Sequence, residues 1–356
     1  MRAWQGIAGA VAGTAAAGVA AGVAVERYAV NRLRGQMDPE IVSGFHASRG
    51  QRLTVPADDG VPLHVEIDGD TGSELTIIFC HGWTLERASW HYQRRELGDL
   101  GRLVFWDQRG HGRSGRGAEE NTTIDQLGED LRAVVDAVTS RGPIILVGHS
   151  MGGMTIMALA ERCPQLFRDR VAGVALIATS AGGLGQAMPG VYGTAMRRVV
   201  PPILGALGRT GGPVDYVRGM SKMISHISTR RLSFGADDVG PEVVAFIDGM
   251  ISATPVDIVA EFYPAILAHD KQAALDVFRR VPTTVIAGTE DRLIPVESSR
   301  AIAHAVPGAE LVEAPGAGHM VMLGRPDMVN DALRALIDKV RAKAETAATT
   351  ETERMA

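Results

Sequence analysis

The chain has 356 residues, 46 % of them hydrophobic and 22 % charged, so it can bury a sizeable core as one domain with an insertion or as two small domains. A net charge of −5 leaves no electrostatic footprint for a nucleic-acid partner, and there is neither zinc-type Cys/His spacing nor a phosphate-binding P-loop. The two cysteines, Cys80 and Cys163, read as small buried hydrophobes rather than as a disulfide framework.

The first element differs in composition from everything after it. From Ala3 to Val25 there is no charged residue, and Ala, Gly and Val dominate until Glu26, Arg27, Arg32 and Arg34. That length suffices to cross a bilayer, and Gly6, Ala10, Thr14, Gly18 and Gly22 recur at the spacing that lets membrane helices approach closely. Residues 1–35 are therefore expected to form a membrane anchor, with the arginines favouring the C-terminal side as the cytoplasmic one. A cleaved signal peptide and a surface-lying tail are the rival readings, because Ala and Gly contribute little transfer energy and Arg2 alone supplies a basic start. Under those rivals the expected membrane-associated location becomes cytoplasmic or secreted.

Gln51–Val55 and Leu63–Asp68 alternate apolar and polar residues around Asp58-Asp59-Gly60, which predicts a hairpin with one solvated face. Leu75–Cys80 is a nearly continuous apolar run that breaks at His81-Gly82-Trp83, as a strand buried on both faces would. A helical segment over Trp90–Leu97, a strand over Leu103–Trp106 and a loop over Asp107–Ser114 follow, and Ile124–Val138 has helical period. Next, the apolar run Ile144–Val147 meets Gly148-His149-Ser150-Met151-Gly152 and continues in helix-forming residues, so it reads strand, tight turn, helix. In such a turn the flanking glycines avoid a β-carbon colliding with the neighbouring strand or helix, and the serine hydroxyl is pushed clear of the sheet.

Pro164 is expected to close that helix, and Val171–Ala178 and Thr283–Ala287 are further apolar strands. Ala309–Glu313 is a short last strand, Asp327–Val340 a closing helix, and residues 344–356, rich in Ala, Thr and Glu, are expected to be a frayed, disordered tail. Strands alternating with helices imply a doubly wound, mostly parallel α/β sheet. The insertion from Gly182 to about Asp276 is expected to form a helical cap after the sixth strand, residues 181–276, with 51–180 and 277–343 as the core. Its first half is basic (Arg197, Arg198, Arg209, Arg218, Lys222, Arg230 and Arg231 against Asp215) and carries Met188, Met196, Met220 and Met223, which suits anionic lipid or an acyl chain. Its second half is acidic, through Asp237, Asp238, Glu242, Asp248, Asp257 and Glu261, so the plainer reading is two helical hairpins that partly neutralise each other.

The order Ser150, Asp291, His319, each just past a strand, resembles the α/β-hydrolase superfamily over roughly Leu53 to Val340. Four motifs carry the resemblance: His81-Gly82 after the third strand, Asp107-x-Arg109-Gly110-x-Gly112-x-Ser114 after the fourth, the turn at Ser150, and Gly288-x-x-Asp291 followed by Gly318-His319. It implies an α/β-hydrolase fold and a catalytic triad. A serine hydroxyl is a weak nucleophile at neutral pH and needs a base; His319 would take its proton, and Asp291 would accept the other imidazole N–H, with Glu290 as the adjacent alternative. The family's oxyanion hole implies two backbone donors, Met151 N–H and Trp83 N–H. Trp83 and His149 are also candidate substrate contacts, although His81 and His149 read first as braces for their loops. Asp107 and Arg109 read as an ion pair holding the fourth-strand loop. The expected activity is cleavage of carboxylic esters through an acyl-enzyme, with lipid-like esters such as monoacylglycerol favoured and no cofactor implied. Within the fold, perhydrolase or haloperoxidase-like, thioesterase and C–C hydrolase activities are the rivals, and a non-catalytic ligand-binding protein is the rival from another class.

Overall fold

In the computed structural model the described residues are 44–45, 50–184, 230, 233–237 and 239–355. The expected anchor lies outside them, as does the basic half of the cap apart from Arg230. The strands are β1 (Gln51–Pro56), β2 (Pro62–Gly69), β3 (Thr76–Cys80), β4 (Arg102–Trp106), β5 (Ile144–His149), β6 (Val171–Ile177), β7 (Thr283–Gly288) and β8 (Glu310–Ala314). They form one eight-stranded sheet in the order β1-β2-β4-β3-β5-β6-β7-β8. β2 pairs antiparallel with β1 and β4, and every later pairing is parallel. This is the doubly wound, mostly parallel sheet that the strand and helix pattern implies, and it fits the fold that the α/β-hydrolase resemblance leads one to expect.

Parallel pairing requires crossovers, and crossovers cover both faces of the sheet, so the central strands are buried throughout. Alternate residues of one strand therefore join different cores: Ile77 and Phe79 pack with Ile145, Val147 and Leu336, whereas Ile78 and Cys80 pack with Leu131, Val134 and Ile156. Only the edge strands β1 and β8 are largely unburied.

The helices follow from their own patterns. α1 (His91–Glu96) continues a 3-10 turn over Arg87–Trp90, and α2 (Ile124–Val138) buries Leu127, Leu131, Val134 and Val138 on one face, its N-cap Thr123 accepting from Gln126 N–H at 3.1 Å. α3 (Met151–Arg162) ends just before Pro164, which opens α4 (Pro164–Asp169). Between β6 and β7 lie α5 (Pro241–Ala253) and α6 (Val256–Ala268), bent by 94° to each other; among the described residues no single helix is long and apolar enough to cross a membrane. α7 (Val296–Ala305) joins the last two strands, and α8 closes the chain.

Two expectations need correction. Residues 344–355 continue α8, which runs Pro326–Met355, because Ala and Glu propagate an established helix even where no apolar face is left to bury. Of the acidic half of the cap, Asp257 and Glu261 pair with Arg116, and Asp237 Oδ1 lies 2.6 Å from Arg325 Nε; whether the basic half neutralises the rest lies outside the described residues. Finally, Asp107 and Arg109 do not pair with each other, as described below.

Candidate active site

The parallel strands end on one edge of the sheet, and Ser150, Asp291 and His319 follow β5, β7 and β8 there. Ser150 adopts φ 53°, ψ −118°, a conformation that L-residues resist. Its N–H donates to Ile177 O at 2.9 Å, and Thr179 Oγ donates to its carbonyl at 2.7 Å, so neighbouring β6 holds the turn. A β-carbon on Gly152 would lie 2.0 Å from Cys80 O, and one on Gly148 2.5 Å from Gly152 O. The elbow helix can approach β3 and β5 only with glycine at both positions. Thr84, Ser150 and Ala178 are the non-glycine residues with positive φ among those described, and each follows a strand at this same edge. Backbone strain of this kind persists where surrounding structure over-determines it, commonly at sites of function.

His319 Nδ1 donates to Asp291 Oδ2 at 2.7 Å, and both side chains are almost wholly buried. The other carboxylate oxygen accepts Leu293 N–H at 2.8 Å and Ile294 N–H at 2.9 Å, which fixes the carboxylate by its own loop. Glu290 is exposed, and the carboxylate that meets His319 is that of Asp291. With Nδ1 committed as a donor, Nε2 is the ring atom left to accept a proton.

Met151 is the first residue of α3, so its N–H is among those a helix leaves without an intrahelical acceptor. Trp83 follows β3; its ring lies 5.9 Å from that of Tyr263 and packs on an apolar group of Met151, Met154, Ile258, Phe262 and Ile294. Its indole nitrogen is buried without a hydrogen-bond partner. The turn at Ser150, the loop after Asp291 and helix α6 thus share one apolar cluster.

His81 braces its loop: Nδ1 donates to Gly82 O at 2.8 Å and Nε2 accepts Gln108 N–H at 2.9 Å. Burial pushes its pKa down to about 4, and that of neighbouring His111 to about 3. The structure does not offer His149 to a substrate, because its ring is 0 % exposed and Nε2 is taken by His319 O at 3.0 Å. Asp107 accepts from Arg87 Nη1 and Arg87 N–H, both at 2.8 Å, and from Arg113 N–H at 2.9 Å. Arg109 instead donates twice to Asp130 at 2.6 Å and also to Asp59 at 2.8 and 3.1 Å. Side chains two residues apart in a turn diverge, one towards the 3-10 turn at Arg87 and the other towards α2. Burial opposes the Arg109 charge, but its hydrogen bonds to Asp130 and Asp59 outweigh burial and raise its pKa. Burial likewise works against Glu66, yet Arg87 and Arg94 hold that carboxyl at about 2.

The model of the alpha/beta hydrolase family matches residues 77–332. The chain belongs to that family. Relatives of this hydrolase include the dihydrolipoyllysine-residue acetyltransferase component of an acetoin cleaving system from Pseudomonas putida, 28 % identical over 77 % of this chain and 66 % of that one. A monoacylglycerol lipase from Mycolicibacterium smegmatis is 27 % identical over 71 % of this chain and 83 % of its own length. Among solved structures, a thermophilic esterase from Thermogutta terrifontis superposes with a TM-score of 0.62 at 26 % identity, covering 82 % of this hydrolase and 99 % of the esterase.

Sequence reasoning missed Arg87, Asp59, Asp130 and Thr179. For Asp130 a signal was present, since it falls three residues after Leu127 and four before Val134, on the apolar face of α2, where a charge requires a buried partner. Nothing local announces Thr179, whose bond to Ser150 O depends on β6 lying beside β5.

Proposed function

We propose that this hydrolase cleaves carboxylic esters through an acyl-enzyme formed on Ser150. The observation that carries the reading is the buried His319–Asp291 hydrogen bond of 2.7 Å, at the sheet edge where the strained turn presents Ser150. In this reading the neutral His319 accepts the Ser150 proton through Nε2 as Oγ attacks the ester carbonyl, and Asp291 stabilises the imidazolium that forms. The N–H groups of Met151 and Trp83 receive the oxyanion, the alcohol leaves with the proton that His319 returns, and water repeats the sequence to release the acid. The apolar cluster of Trp83, Met154, Ile258, Phe262 and Ile294 supports an apolar acyl group, as in lipid-like esters.

Two measurements test the reading. A fluorophosphonate should label Ser150 in the wild type and fail to label Ser150→Ala; unlabelled wild type would end the nucleophile assignment. Along a series of p-nitrophenyl esters kcat/KM should rise with acyl length, by up to about fourfold for each buried methylene. A maximum at acetate would remove the apolar acyl site. Membrane association belongs to the same proposal on the strength of the uncharged stretch Ala3–Val25. Full-length protein recovered in the soluble fraction with its N-terminus intact would refute it.

A further inference from the structure

One imidazole touches all three loops of the proposed site. His149 stands between the strand end and Ser150, fully buried, with its ring centroid 4.8 Å from that of His319 and 6.4 Å from Trp90. A carbonyl oxygen can only accept, so the 3.0 Å contact between Nε2 and His319 O means that Nε2 carries the hydrogen. Burial, and after it the proximity of His319, hold the His149 pKa well below the ordinary imidazole value. The ring is therefore neutral, and Nδ1 is a bare lone pair without a hydrogen-bond partner. That bare edge faces Gly82: a β-carbon there would come within 2.7 Å of Nδ1 and 3.2 Å of Ser150 Cβ.

Asp291 orients the His319 ring, but it does not set the height of the His319 main chain above the sheet. That chain lies in a glycine-containing loop, held from the cap side by Met320 N–H donating to Ser233 O at 2.7 Å and by the Gly235–Ala317 bridge. From the sheet side the end of β7 holds the start of the loop, Glu290 N–H donating to Ala317 O at 2.9 Å and Gly316 N–H to Thr289 Oγ1 at 2.8 Å, while the described contact to the His319 carbonyl itself is the His149 N–H. We propose that His149 is a positioning residue: its N–H fixes the main chain of the general base relative to the nucleophile, while its unprotonated edge seats the oxyanion loop at Gly82. The three loops then keep one mutual geometry. This rests on the serine-hydrolase reading of the site.

The test is a set of substitutions read by the rate of fluorophosphonate labelling and by kcat and KM on one p-nitrophenyl ester. His149→Phe keeps an aromatic ring and loses the donor, so labelling rate and kcat should fall roughly 10- to 100-fold, the scale set by a misplacement of about 1 Å, with KM little changed. His149→Gln can reach the same carbonyl with its amide and should recover most of the loss. His149→Asn is one methylene shorter and should not. Melting temperatures establish that each variant is folded, and the Gln and Asn pair decides the matter even if the Phe variant does not fold. Asn equal to or better than Gln, or Phe equal to wild type, overturns the inference while labelled wild type leaves the serine reading intact. Unlabelled wild type overturns both.

Discussion

The strain at Ser150 allows a substitution that destroys activity while raising stability. At φ 53°, ψ −118° an L-residue is held in a region that only glycine enters freely. Such a conformation costs of order 1–3 kcal/mol. Ser150→Ala removes the hydroxyl and keeps the strain; Ser150→Gly removes both. Glycine also retains the main-chain contacts of the turn, namely the bond from N–H to Ile177 O and those to its carbonyl from Thr179 Oγ, Gly153 N–H and Met154 N–H. Against the relief stands the larger conformational freedom that glycine loses on folding, roughly 0.5–1 kcal/mol. Mid-range values, about 2 kcal/mol of strain less about 0.75, make the Gly variant more stable than the Ala variant by about 1 kcal/mol, which for a chain of this size is a rise of about 2 °C in melting temperature. Thermal unfolding of wild type and both variants, beside ester turnover, measures the two effects together, and triad losses run to about 10⁴-fold or more. If Ser150→Gly melts at or below Ser150→Ala, the strain assigned to the turn is not there. If either variant keeps a tenth of wild-type turnover, Ser150 is not the nucleophile.

Asp291→Asn should lower kcat severely, towards about 10⁴-fold, because an amide can present a donor to His319 Nδ1 and favour the wrong tautomer. Glu290→Gln should be mild, since that side chain is exposed; the reverse ranking would reassign the acid. Log kcat/KM should rise with pH along an acid limb of unit slope, because the proposed mechanism needs one unprotonated base, while burial holds His81 down at about 4, His111 at about 3 and His149 well below the usual range. A slope of two would contradict this. His269 bears on acid stability: burial lowers it to about 4, so the unfolded chain takes up the proton first and stability is lost as pH falls from about 6.5 towards 4. Between pH 7 and pH 5 this amounts to about 2 kcal/mol, and His269→Leu should flatten the pH dependence of the urea midpoint accordingly. An unchanged slope would mean that the imidazole is protonated in the folded state.

The local sequence determined most of the elements and marked the residues that the fold brings to one edge of the sheet. Apolar runs at Leu75–Cys80, Ile144–Val147 and Thr283–Ala287 had no use for a solvated face, so a parallel sheet covered on both sides followed. Gly148 and Gly152 marked the turn at Ser150 because close approach to a strand excludes any β-carbon, and that requirement is visible within five residues. α8 ran beyond the expected boundary because helix propagation needs propensity but no buried face. Only the tertiary structure decided which charges meet. Asp107 and Arg109 are adjacent in a motif, yet their partners, Arg87 and Asp130, lie 20 and 21 residues away, and the choice rests on side-chain direction in the folded turn. The same holds for His149, whose bond to His319 O spans 170 residues. A hydrogen bond of that kind is specified by the order of strands across the sheet, β5 beside β6 and β7 beside β8, and no spacing along the chain encodes that order.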